Sequence, residues 1–182
     1  MTEPSWSHIE DSSSLRGVGA IDAFLAEVSR QYVNGDCLLY RFEALDPSLL
    51  NFAQAGGFSR LLAAFLNRPA VKNALNDVKV TSAKAIPPPF RPLGSFEFEG
   101  ALTETLLGGG AYIRGMDSED DARRISRAFV DALLGNHRRS STAFAFEGAW
   151  TPWFHDVAWD SSYLILDPLA RAWWALFMTD TD

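Results

Sequence analysis

The chain has 182 residues, 47% of them hydrophobic and 21% charged, and a formal net charge of -7. That is enough apolar material for the core of one domain, and it lies far from a disordered composition. The acidic balance argues against a nucleic-acid binder held by phosphate contacts; only Arg123, Arg124, Arg127, Arg138 and Arg139 could supply a local basic patch.

Residues 1–17, rich in Ser and acids, read as a flexible N-terminal arm, and residues 18–182 as a single α+β domain. From Gly19, the apolar residues Ile21, Phe24, Leu25, Val28 and Tyr32 recur at three- and four-residue spacing, which predicts an amphipathic helix ended by Asn34-Gly35. Residues 37–42 are apolar and β-leaning and predict a strand. Asp46-Pro47 begins a turn or short helix through Leu49, Leu50 and Phe52, which Gly56-Gly57 breaks. Phe58, Leu61, Leu62, Phe65 and Leu66 mark a second amphipathic helix, and Pro69 opens a short one over residues 70–75. Residues 78–83 predict another strand. Pro87-Pro88-Pro89 continues neither helix nor sheet, so residues 86–95 are the place for a subdomain joint, read here as a surface crossover within one domain.

Phe96 and Phe98 alternate with Glu97 and Glu99, a short strand signal, and residues 101–107 predict one or two helical turns before Gly108-Gly109-Gly110. The clearest helix follows. Asp117 or Ser118 caps it, the acids at 119–121 suit its positive end, and Ala122, Ile125, Phe129, Ala132 and Leu133 form its apolar stripe up to Gly135. After Ser141 the period shortens to about 2. Phe144 with Phe146, then residues 153–159, 163–166 and 173–178, predict strands, with Asp167-Pro168-Leu169-Ala170 as a type I turn between the last two. The sum is an α+β fold, with amphipathic helices packed on a mostly antiparallel sheet that ends in a C-terminal β-meander.

The lone Cys37 excludes an internal disulfide and fits a reducing cytosol. Residues 1–16 have no apolar signal core, and no stretch approaches the roughly 20 apolar residues that cross a bilayer. The chain therefore reads as soluble and cytoplasmic, with no membrane partner.

Charge and aromaticity coincide. Residues 1–90 carry 9 acidic and 8 basic side chains, and residues 91–182 carry 14 and 8; five of the six tryptophans fall within residues 150–174. An acidic surface with exposed indoles suits a basic protein or a cationic ligand. Trp173 and Trp174 are adjacent, so in a strand they point to opposite faces. One fills the core; the other lies under the 119–134 helix, under a loop, or against a partner.

His155, Asp156, Asp160 and Asp180 are the candidate acid/base groups or metal ligands. In a strand, Asp156 and Asp160 share a face about 13 Å apart, too far for one metal ion, and His155 lies on the other face. Asp180 either meets a site at the strand ends or belongs to a solvated tail. The two glycine runs lack the Gly-Lys-Ser/Thr of a phosphate loop, and there is no Gly-x-Ser-x-Gly elbow. The reading that follows is a binding protein of a bacterial accessory or immunity type, without enzymatic activity or cofactor. It would engage a basic protein through Trp150, Trp153, Asp156, Asp160, Trp173 and Trp174, with Glu147 adding to the attraction. The alternatives are a small hydrolase or metal-dependent enzyme built on His155 and the nearby Asp residues, and a homodimer that buries its spare aromatic face on itself.

Overall fold

The computed structural model describes residues 6–10, 15, 17–44, 48–80 and 88–182, with side chains described for 15, 17–43, 57–80 and 88–182. In chain order the elements are β1 (Trp6–Glu10), α1 (Gly19–Gln31), β2 (Asp36–Ala44), α2 (Ser48–Leu66), α3 (Pro69–Ala74), β3 (Phe90–Gly94), α4 (Ser95–Gly108) and α5 (Glu119–Leu134), then a 3₁₀ helix (Gly135–Ser140), β4 (Thr142–Phe146), β5 (Ser161–Asp167) and β6 (Ala172–Thr179). The strands form one six-stranded sheet in the order β1-β2-β6-β5-β4-β3, and every pairing is antiparallel. Strands β4, β5 and β6 are the C-terminal meander, and β6 closes it onto β2.

Alternation along β6 sets the layers. Every residue of Ala172–Thr179 is buried, as in a strand covered on both faces. Trp174, Leu176 and Met178 join Cys37, Leu39, Tyr163 and Ile165 under α1, α4 and α5, which contribute Phe24, Val28, Phe98, Leu102, Phe129 and Val130. Trp173, Ala175 and Phe177 join Tyr40, Phe42, Phe144 and Leu164 on the other face, beneath Leu61, Leu62 and Phe65 of α2 and Val71 of α3. Each face thus has its own core. Trp173 is fully buried and stacks on Phe65, with ring centroids 4.6 Å apart. Fully burying one such apolar side chain contributes about 1.5–3 kcal/mol.

The helix expected from Gly19, the break at Gly57 (φ 73°) and the capped helix after Ser118 are all present; the Ser118 hydroxyl accepts the Asp121 N–H at 3.2 Å. Several expectations fall otherwise. Phe96 and Phe98 lie in α4, not in a strand: the Glu97 carboxylate accepts the Gly94 N–H at 2.8 Å, and Phe98, Leu102 and Leu106 repeat every fourth residue toward the core. Residues 6–10, read as part of the arm, form strand β1 against β2. Residues 78–80 are not strand, and 81–83 lie outside the described residues, as do Asp46-Pro47 and the first proline of the 87–89 run. The remainder of the expected joint contains β3, the edge strand beside β4.

Residues 153–159 are an irregular loop. The backbone N–H groups of His155 and Val157 both donate to the Asp160 carboxylate, and Asp156 takes a left-handed φ of 60°. Those N–H groups are therefore not available to a ladder.

Since Trp173 has no route to solvent, Trp173→Ala should cost about 3–5 kcal/mol and lower the urea midpoint accordingly. An unchanged midpoint would show that the face under α2 is not the packed core described.

Candidate functional site

Register decides what meets at one end of the sheet. Asp36 of β2 pairs with Thr179 of β6, and Ser161 of β5 pairs with Met178, so these three strand ends stand side by side, about 4.8 Å from neighbour to neighbour. The loop over residues 147–160, the turn between α1 and β2, and the last residues of the chain all belong to this end.

The 147–160 loop is held by aromatic packing and one carboxylate. Trp150 stacks on Phe146 at 5.1 Å and donates its indole N–H to the Ser162 hydroxyl at 2.8 Å. Trp153 sets its edge against Phe154 at 5.0 Å and meets Phe177 at 6.4 Å. Both tryptophans are half-buried residues packed against the core. Glu147, His155 and Asp156 around them are exposed. Asp160 is half-buried: one oxygen accepts the His155 and Val157 N–H groups at 3.0 and 3.1 Å, and the other accepts the Thr179 hydroxyl at 2.6 Å.

Asp180 is fully buried. Its Oδ1 accepts the Asn34 N–H at 2.9 Å and its Oδ2 the Ala111 N–H at 2.8 Å, so one carboxylate fastens the α1–β2 turn and the α4–α5 connection to the end of β6. Gly110 and Gly35 permit the approach: a Cβ on Gly110 would overlap the Gln31 carbonyl and the Asp180 carboxylate, and one on Gly35 the Thr179 carbonyl. Beside them Tyr32 and Cys37 are buried. Burial pushes the Tyr32 phenol above its ordinary range, reinforced by Cys37, Tyr163, Asp180 and Asp160. Burial likewise pushes the Cys37 thiol up, with Asp36 adding to it.

The structure therefore redistributes the residues singled out from the sequence. Trp150, Trp153 and Asp156 do reach the surface together with Glu147. Trp173 and Trp174 do not: Trp173 lies beneath α2, and Trp174 is 6% exposed in the opposite core, with the Arg41 guanidinium 5.4 Å from its ring centre. Neither presents a docking face, because both sides of β6 are already covered. Asp180 is no solvated tail, and Asp160 and Asp180 serve as acceptors for loop N–H and hydroxyl groups. Among the described residues no three His, Cys, Asp or Glu side chains are grouped to hold a metal ion.

One pairing was missed. His137 Nδ1 lies 3.0 Å from Oδ2 of the buried Asp167, whose other oxygen accepts the Leu169 and Ala170 N–H groups at 3.1 and 3.0 Å. The Asp-Pro turn was legible, but nothing local joins it to a histidine in the preceding 3₁₀ helix. This pair ties that helix to the β5–β6 turn at the far end of the sheet. The exposed Val33 and Tyr112 were also missed; no periodicity marks a residue in a turn. No protein-family profile, curated protein or solved structure matches the chain.

Tyr32 and Cys37 supply a pH prediction. Both are neutral when folded and hold their protons more tightly there than in the unfolded chain. Their contribution is intact below the ordinary values, about 8.5 for Cys and about 10 for Tyr, and is lost as pH rises through the folded ones. The urea midpoint should fall progressively above pH ~9, and Tyr32→Phe should flatten the later part of that fall. A wild-type profile that stays level to pH ~11 would contradict the burial described.

Proposed function

We propose that this protein is a non-enzymatic binding protein that grips a basic protein partner through the face of its 147–160 loop. The single observation that carries the reading is the state of Trp150 and Trp153: both pack on the buried Phe146, Phe154 and Phe177, yet both residues are only partly buried, in a loop that also carries the exposed Glu147 and Asp156. Pre-set aromatic anchors lose little freedom on binding, and interface energy concentrates in such residues. Carboxylates at the rim attract a cationic partner and fix its orientation. A negative protein that masks a positive one, as an inhibitor or immunity-type protein blocks a basic toxin, fits both features. The buried, unbridged thiol of Cys37 suits action in the cytoplasm.

In this reading Trp173 and Trp174 are the core supports of the face and not part of its contact. Asp160 shapes the loop by accepting its N–H groups, leaving Asp156 and Glu147 as the acids that meet the partner.

The test is capture of basic proteins from lysate of the native host, comparing wild type with Trp153→Ala and with Glu147→Lys/Asp156→Lys. Trp153→Ala should weaken the captured complex by roughly 10-fold or more. The charge reversal should slow association and remove its salt dependence. A partner retained equally by all three proteins would place the interface elsewhere.

A further inference from the structure

The same end of the sheet carries a second apolar group on its other side. Val33, in the turn between α1 and β2, is 52% exposed, and Tyr112, in the connection between α4 and α5, is 61% exposed. They belong to elements on the α1/α4/α5 face, whereas Trp150 and Trp153 pack with the core on the α2/α3 face. Residues far apart in sequence are held together here by one side chain. The buried Asp180 takes the N–H of Asn34, next to Val33, on one oxygen and the N–H of Ala111, next to Tyr112, on the other. The Asn34 side chain also donates to the Thr181 carbonyl at 3.2 Å. Across the strand ends, Asp160 receives the hydroxyl of Thr179, the residue preceding Asp180. Both patches are thus fastened to the same two residues at the end of β6.

Two exposed acids belong to this end of the sheet: Asp36, which pairs with Thr179 and accepts the Cys37 N–H, and Asp182, two residues after Asp180. On the other side of the balance, the exposed Arg114 lies in the same connection as Tyr112. Exposed apolar side chains on both faces of a sheet end that also carries carboxylates suit a chain that offers both cationic and apolar side chains.

We infer that Val33 and Tyr112 form a second anchor point of the docking surface, and that the partner crosses the end of the sheet with a basic segment carrying apolar side chains on both sides. The inference rests on the reading of the 147–160 loop as a docking face. It adds that the contact spans both sides of the sheet, with Asp180 as the positioning residue that keeps the second anchor in register with the first. Backbone N–H groups accepted by a buried carboxylate move little, so the surface is pre-set before the partner arrives.

The experiment is site-specific photo-cross-linking in lysate of the native host. The photoreactive p-benzoylphenylalanine is placed singly at position 153, at position 112, or at position 96. Phe96 is 68% exposed beside Arg138 and follows the end of β3 that lies at the far end of the sheet, so it serves as the control. Positions 153 and 112 should cross-link to the same protein, identified by mass spectrometry as carrying net positive charge, and position 96 should not. The yield should fall as salt is raised toward ~1 M, where the screening length is about 3 Å. With that partner purified, Tyr112→Ala should weaken binding by roughly 10-fold while leaving the melting temperature unchanged.

Cross-linking from 153 but not from 112, or full affinity in Tyr112→Ala, overturns the second anchor and leaves the docking face of the 147–160 loop standing. No product from either position, or equal products from all three, overturns both.

Discussion

The structure depends on β6 being covered from both sides. A strand whose successive residues are Trp173 and Trp174 must place one large indole on each face. Each needs a packed layer above it, and the helices divide accordingly: α2 and α3 on one face, α1, α4 and α5 on the other. The remaining sheet follows from this division, because β2 and β5 flank β6 and present the same alternation to the same two layers. Removing either layer would expose an indole and a row of Phe or Leu side chains together, so the two cores stand or fall with the one strand.

Three carboxylates in the C-terminal half carry out a second task that charge counting conceals. Asp160 precedes β5, Asp167 closes it, and Asp180 follows β6; each accepts two backbone N–H groups from neighbouring loop residues. Loop N–H groups beside a two-sided core cannot all reach water, and an ionised oxygen is a strong acceptor for them. These acids organise the ends of the sheet. Of the exposed acids at this end, Asp36 accepts the N–H of its neighbour Cys37 at 2.8 Å, and the proposed docking face draws on Glu147, Asp156 and Asp182.

The proposed docking face follows from both constraints. Aromatic packing on Phe177 keeps Trp150 and Trp153 at the surface without freeing them. The carboxylate fastenings hold the loops that carry Val33, Tyr112 and Asp156 against the strand ends.

Much of the architecture was legible in local pattern. The stripes of α1 and α5, the break at Gly57, the Ser118 cap and the Asp-Pro turn of the C-terminal hairpin each rest on residues close in sequence, and their physics is complete within one or two turns of chain. Alternation misled where a cap outweighed it, at Phe96 and Phe98, and where a side chain captured the backbone, at residues 153–159. From sequence alone came the α+β class, the meander, the pairing of opposite-facing tryptophans and the segment where aromatics and acids gather. Only the tertiary structure decided which of those indoles remain at the surface and which acids are consumed within the fold. Burial and hydrogen-bond partnership depend on segments distant in sequence arriving at the same place, as Asn34, Ala111 and Asp180 do.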